Sequence, residues 1–310
     1  MKGTVIKSTG SWYTVMDSNH NSVACKIKGK FRMAGIKSTN PIAVGDIVDY
    51  ETEKDGNGTI TAIAPRKNYI IRKSINLSKQ THILAANIDQ ALLIVTLALP
   101  RTSQGFVDRF LITAEAYHIP VVIVFNKMDI VEQDEKAIKE LNAFGAMYTN
   151  IGYKCLKVSA KSSKDIKQIR SITANKTTLI AGHSGVGKSA IANALDGNLN
   201  LRIGEISDVH LKGKHTTTFA EMHELNYGGF IIDTPGIKEL GLIEMEKVEI
   251  SGYFPEMREL RQACKFNNCL HINEPNCAVI KAVEQGDILE ARYESYWKII
   301  HGEELENNSK

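Results

Sequence analysis

The run Gly182-His183-Ser184-Gly185-Val186-Gly187-Lys188-Ser189 fits G-x-x-x-x-G-K-[ST]. It lies between a strand-like apolar stretch at residues 177–181 and a helical pattern at 189–195. Strand, glycine-rich loop and helix in that order form the context in which such a loop wraps phosphate. The glycines let backbone N–H groups converge on phosphate oxygens, and the helix N-terminus adds positive potential. Residues 182–190, closing on Ala190, are the candidate phosphate-binding set, with Lys188 expected to reach the β- and γ-phosphates and Ser189 to ligate Mg²⁺. The surroundings alternate in the same way. Strand patterns at 91–97, 121–125, 154–158, 177–181, 221–225 and 230–232 are interleaved with helical spacing of Val107, Phe110, Leu111, Ala114 and His118 and a helix over 136–143. This predicts a mainly parallel sheet with helices on both faces.

A phosphate loop serves ATP and GTP alike, so the base must be read elsewhere. Asn126-Lys127-Met128-Asp129 follows the strand at 121–125, at a carboxyl end, where ligands bind in open α/β sheets. A carboxylate at Asp129 can accept from both guanine N1–H and N2–H₂, whereas adenine offers neither donor. Ser159-Ala160-Lys161, after the next strand, matches the loop that backs the base in GTPases. Asp233-Thr234-Pro235-Gly236 fits D-x-x-G; there Asp233 would act through a Mg²⁺-bound water and the Gly236 N–H would contact the γ-phosphate. Lys214-His215-Thr216-Thr217-Thr218 lies between the two phosphate-side motifs, as a switch threonine should.

These segments resemble the GTPase motif set in a permuted order. GTPases conventionally run phosphate loop, switch threonine, D-x-x-G, N-K-x-D, S-A-K; here N-K-x-D and S-A-K come first. Cutting after D-x-x-G and joining the old termini leaves each loop at its strand end. The segment after Gly236 then leads into the C-terminal region, and its position is expected to report the γ-phosphate there.

Residues 1–63 alternate in short strands at 4–8, 12–16, 22–27, 46–52 and 59–63, separated by turns such as Asp17-Ser18-Asn19 and Asp55-Gly56-Asn57-Gly58. This predicts a small β-barrel of the oligonucleotide-binding kind, although an SH3-like barrel gives a similar pattern. Residues 65–88 read as an irregular linker with a basic face of Arg66, Lys67, Arg72, Lys73 and Lys79. Lys26, Lys28, Lys30, Phe31, Arg32 and Lys37 form a candidate RNA-binding stretch, or else a solvated basic edge that resists strand pairing. Beyond residue 242 the strand signal stops. Pro255 can open a short helix, residues 277–284 another ending at Gly286, and Asp287 can cap a last one through Trp297. Cys264-x4-Cys269-x-His271-x5-Cys277 supplies three thiolates and an imidazole, a set suited to a closed, structural Zn²⁺ site. Cys25 and Cys155, in strand patterns, read as buried apolar fillers.

The chain therefore divides into 1–67, a barrel; 68–242, a permuted GTPase domain; and 243–310, a helical zinc domain. Apolar residues at 43% and charged residues at 24% exclude a disordered or fibrous chain. The net charge of +3 does not by itself argue for nucleic acid, but Lys and Arg exceed Asp and Glu by ten to six over residues 1–68 and trail by eight to twelve over 246–310. The longest apolar run, residues 91–99, falls short of the roughly 20 residues of a membrane helix. With no apolar signal region at the N-terminus, a cytoplasmic protein with no membrane partner is expected, acting as a monomer.

Barrel, permuted GTPase and C-x4-C-x-H-x5-C helical domain, in this order, resemble the ribosome-small-subunit-dependent GTPase family of the RsgA type over nearly the whole chain. The resemblance implies a late-acting maturation factor that binds the small ribosomal subunit and its rRNA through barrel and zinc domain, with subunit-stimulated hydrolysis of GTP to GDP. It assigns Mg²⁺ binding to Thr217. The family's G-[RQ]-H-T-T-T stands here as Gly213-Lys214-His215-Thr216-Thr217-Thr218. Ile237 occupies the place where Ras-like enzymes carry the glutamine that orients the attacking water. Isoleucine cannot hold water, so slow intrinsic hydrolysis is expected, with His215 the candidate water-positioning group. Two other readings are a GTP-dependent switch acting on a protein partner and an ATP-using enzyme.

Overall fold

The computed structural model describes residues 1–27, 41–73, 81–201, 220–233 and 245–302. The first five strands are β1 (Lys2–Ser8), β2 (Tyr13–Met16), β3 (Ser22–Ile27), β4 (Ile47–Thr52) and β5 (Gly58–Ile63). They pair in the order β1-β2-β3-β5-β4, and β4 returns to β1 to close a barrel of the oligonucleotide-binding type. Strict alternation builds it: β4 buries Val48 and Tyr50 and exposes Ile47, Asp49 and Glu51. β3 and β5 run parallel and close, so a Cβ at Gly58 would stand 2.6 Å from Cys25 Sγ. Of the basic candidates between Lys26 and Lys37, only Lys26 lies within the described residues.

The stretch expected to be an irregular linker is instead an antiparallel hairpin of β6 (Tyr69–Lys73) and β7 (Thr81–Ala86). Its flanking cations masked a buried apolar pattern of Ile70, Ile83, Ala85 and Ala86. Nor is the basic face intact. Arg66 turns inward, donating through Nε and Nη2 to the two Asp46 carboxylate oxygens at 2.6 Å each, and Lys67 pairs with Asp89.

The next elements are β8 (Gln90–Val95), α1 (Gln104–Ala116), β9 (Val121–Phe125), α2 (Met128–Val131), α3 (Glu135–Ile151), β10 (Lys154–Lys157), α4 (Ser163–Thr173), β11 (Thr177–Ala181), α5 (Lys188–Leu195), β12 (Glu221–Glu224) and β13 (Phe230–Asp233). The sheet runs β10-β9-β8-β11-β13-β12, parallel except for β12. β8 sends Ala91, Leu93 and Val95 to the face covered by α1 and α3, and Leu92 and Ile94 to the face covered by α4 and α5. The long apolar strands are thus buried on both sides. β1 pairs antiparallel with β12 through Lys7 and Glu221, which joins barrel and α/β layer in one continuous sheet.

The C-terminal region contains α6 (Lys247–Ile250), α7 (Pro255–Arg258), α8 (Ala278–Gln285) and α9 (Glu290–His301). Gly286 ends α8 with φ +80°, as expected. Asp287 does not cap α9. Its N–H donates to Ala282 O and completes the turn that ends α8, while Leu289 holds the N-cap position of α9. The region packs on α1: Ile112 enters its core, and Arg292, 1% exposed, pairs with Asp108 of α1 and Glu256 of α7.

Asp46 is wholly buried and also accepts the Ala43 N–H at 2.8 Å. Asp46→Ala strands the Arg66 guanidinium, so urea unfolding is expected to show a loss of about 3 kcal/mol. A loss under about 1 kcal/mol would mean that the pair behaves like an exposed one.

Candidate nucleotide and metal sites

The phosphate-loop sequence sits between β11, a central strand, and α5. Gly182 (φ +141°), Gly185 (φ +80°) and Gly187 (φ +98°) all have positive φ, which side chains disfavour. Two of them are also held by close approach. A Cβ on Gly182 would stand 2.4 Å from Ile94 O and one on Gly187 2.3 Å from Asn126 Nδ2. Val186 is buried beneath the loop. The Lys188 ammonium donates to the loop's own carbonyls, Gly182 O at 2.9 Å and His183 O at 2.7 Å. It is therefore already placed over the concavity that the backbone forms, where an anion would exchange those carbonyls for charged oxygens.

The N-K-x-D sequence leaves the end of β9 two strands away and returns to the same loop. Asn126 N–H donates to Val95 O at 2.8 Å, and its side-chain amide donates to Val186 O at 2.8 Å. Lys127 takes φ +64°, and its ammonium donates to Leu99 O; burial pulls its pKa down, opposed by Asp129. Asp129 receives Lys161 Nζ on one carboxylate oxygen at 2.7 Å and the Ser159 hydroxyl on the other at 2.9 Å. These two donors hold its carboxyl below the usual carboxylate range, so it is an anion at neutral pH. Ser159 N–H in turn donates to Asp165 at 2.9 Å. The three short motifs thus form one hydrogen-bonded edge at the carboxyl ends of β9, β10 and β11. Ala160 is part-buried beside it, packing on the apolar layer that carries Val158.

Asp233 ends β13 opposite Ile180 of β11, two residues before Gly182. Burial raises its carboxyl pKa, and the Lys188 ammonium works against that rise. Ser189, at the start of α5, and Asp233 are hard oxygen donors of the kind Mg²⁺ prefers. Thr217, His215, Gly236 and Ile237 lie outside the described residues.

In the C-terminal region Cys264, Cys269, His271 and Cys277 bring one ligand atom each to within 4.8 Å of one another. His271 Nδ1 lies 3.2 Å from Cys277 Sγ and 3.5 Å from Cys264 Sγ. Burial and the neighbouring sulfurs push the Cys269 thiol up to about 12, and burial lowers the pKa of His271. Three thiols, those of Cys269 and Cys277 buried and that of Cys264 partly so, crowded around one imidazole fit a cation better than they fit each other, and the S₃N donor set is that of structural zinc. The surroundings hold the ligands in place. Glu274 accepts the N–H groups of Leu270, Ile272 and Asn273, Tyr293 and Tyr296 donate to His271 O and Leu270 O, and Ile280 N–H donates to Cys277 Sγ. Cys25 is buried in the barrel and Cys155 partly buried in β10, both apart from this cluster.

Sequence reasoning missed Asp165, Phe106 and Glu274. Asp165 had a local signal, since it stands as an acidic residue in the first turn of α4, three residues after the N-cap Ser162 and six after Ser159. Phe106, whose ring lies 3.7 Å from that of His183, had none, because its partner is far along the chain.

Residues 63–243 match the family model of the RsgA GTPase, and residues 2–60 match the RsgA N-terminal domain. The small ribosomal subunit biogenesis GTPase RsgA of Flavobacterium johnsoniae is 52% identical over 307 residues, covering 98% of this chain and 94% of that relative. Its counterpart in Bacteroides fragilis is 52% identical over 304 residues, covering 98% and 97%. Among solved structures, YjeQ from Thermotoga maritima has a TM-score of 0.77 at 34% identity, with 97% of each chain covered. YloQ, described as a circularly permuted GTPase, has a TM-score of 0.74 at 32% identity, covering 100% of this chain and 96% of that one. With the guanine-type loop wired to the phosphate loop in permuted order, and with relatives of this identity spanning nearly its whole length, the chain belongs to the RsgA GTPase family.

Proposed function

We propose that this GTPase binds the small ribosomal subunit and its rRNA during late maturation and that the subunit stimulates its hydrolysis of GTP. The observation that carries the nucleotide half is the joint placement of Asn126 and Asp129: one tied to the phosphate loop at Val186, the other held as an anion by Ser159 and Lys161. The ribosomal half is supported by relatives described as small ribosomal subunit biogenesis GTPases. Nothing comparable supports the protein-partner reading.

In this reading Asp129 accepts guanine N1–H and N2–H₂, while Lys127 and the Ser159-Ala160-Lys161 loop flank the base. Residues 182–190 wrap the phosphates, and Lys188 neutralises charge on the β- and γ-oxygens. Ser189 and Thr217 would hold Mg²⁺, with Asp233 acting on it less directly, and the ion would supply charge neutralisation of the phosphate oxygens. Gly236 N–H meets the γ-phosphate, and His215 orients the attacking water, the role that Ile237 cannot fill. Cys264, Cys269, His271 and Cys277 hold one zinc as a structural staple with no open position for chemistry. The domains in this reading are 1–67, 68–242 and 243–310. In the barrel, Lys26 Nζ lies 4.1 Å from the ring centroid of Trp12, itself 38% exposed, a pairing of cation and aromatic suited to RNA. Among the described residues no helix is long and apolar enough to cross a membrane. A cytoplasmic, monomeric factor fits this work.

Co-sedimentation tests the ribosomal half. The full chain is expected to pellet with small subunits in the presence of a GTP analogue that resists hydrolysis, to stay in the supernatant with GDP, and to bind less tightly as salt rises. Equal recovery with both nucleotides, or none with either, would refute it. Elemental analysis is expected to find one zinc per chain, lost on Cys269→Ser and on acidification, because protons compete for the thiolates. Metal-free chain should then be cut by protease in the C-terminal domain; unchanged resistance would show that no metal holds it.

A further inference from the structure

The β8–α1 connection and the first turns of α1 touch the nucleotide loops on one side and the C-terminal domain on the other. Toward the nucleotide, the Phe106 ring lies over the His183 imidazole of the phosphate loop, with centroids 3.7 Å apart and planes inclined by 35°. A Cβ on Gly185 would stand 3.2 Å from Pro100 Cδ, and Leu99 O receives the Lys127 ammonium. Toward the C-terminal domain, Gln104 Nε2 donates to Ala291 O at 2.9 Å, and the wholly buried Asp108 accepts from Arg292 Nη1 and from the Tyr148 hydroxyl.

Helix geometry explains the division. Residues 104 and 108 are one turn apart and share a face, whereas residue 106 lies about 200° around the axis from 104, on the opposite face. Two turns of helix therefore grip α9 with one face and the phosphate loop with the other. The grip on α9 is stiff, because withdrawing Arg292 would take from the buried Asp108 carboxyl its cationic partner. Glu256 anchors the other edge of the same guanidinium at 2.7 Å.

We propose that Phe106 is a positioning residue for the phosphate loop, and that Arg292, through Asp108 and the first turns of α1, makes the seating of the C-terminal domain part of that positioning. The route is separate from the segment that follows Gly236. It rests on the reading of residues 182–190 as the nucleotide site. Whatever shifts the C-terminal domain then alters nucleotide affinity, and by linkage nucleotide alters the hold on that domain.

A double-mutant cycle in the full chain tests this, with fluorescent GDP titration and steady-state GTP hydrolysis as readouts. Phe106→Leu and Arg292→Lys are each expected to weaken GDP binding about threefold to tenfold. KM should rise with little change in kcat, since the loop is displaced equally in ground and transition states. The double variant should lose no more than the weaker-binding single one, because both act through one helix. Zinc content and circular dichroism equal to the parent chain certify folding. If Arg292→Lys fails that check, Gln104→Ala, which removes the contacts with Ala291 O and Asp108 Oδ2 but leaves the Arg292–Asp108 pair in place, is used in the cycle instead. Unchanged affinity in Phe106→Leu, or single effects that multiply in the double variant, would overturn the coupling while leaving the nucleotide site intact. A parent chain that binds no GDP would overturn both.

Discussion

The hydrogen bond from the Asn126 amide to Val186 O, 2.8 Å long, joins the base-reading half of the site to the phosphate-binding half. It spans β8, which lies between β9 and β11 in the sheet. Its geometry requires the neighbouring glycine, because any Cβ at Gly187 would collide with Asn126 Nδ2. The asparagine and the glycine thus satisfy one constraint from two distant segments. Asp129 follows Asn126 at a fixed offset, so fastening Asn126 to the loop also sets where a base must lie when its phosphates occupy residues 182–190.

That fastening is indifferent to chain order. β9 and its loop precede β11 in sequence, yet each loop still leaves the carboxyl end of its own strand. What permutation changes is where the neighbouring domains attach. The barrel enters before β8 and adds β1 alongside β12, covering an edge that would otherwise present unpaired backbone groups. The C-terminal domain leaves after β13 and seats on α1, where Arg292 is shared by Asp108 and Glu256. A buried charge cluster of this kind adds little net stability over apolar packing, but it tolerates only one geometry, since any shift strands a charge.

Much of this was legible in the sequence where the governing interactions are local. The barrel strands announced themselves by alternation, and the central strands by continuous apolar runs bounded by turns. The loop motifs stood out because backbone and phosphate chemistry dictate adjacent residues. The losses occurred where distant partners decide. The cations around residues 65–73 hid the hairpin, because nothing local shows that Arg66 is neutralised by Asp46 across the barrel. α4 went unread because only Ile166, Ile169 and Thr173 of its mainly polar sequence are buried. Asp287 looked like a cap for α9, but the turn after α8 claimed its N–H first. The Arg292 cluster joins residues more than 180 positions apart, and nothing adjacent in the sequence pairs Arg292 with Asp108.

The most direct test of a single guanine-nucleotide site assembled from the permuted motifs is calorimetric titration of Asn126→Ala with GDP and with ADP. Losing the tie to Val186 frees both loops at once, and GDP affinity is expected to fall at least about tenfold, as for a buried hydrogen bond whose partner is left unsatisfied. ADP should bind weakly to both the parent chain and the variant. GDP affinity equal to that of the parent chain would contradict the central role given to this bond, and equal affinity of the parent chain for GDP and ADP would contradict the reading of the base by Asp129.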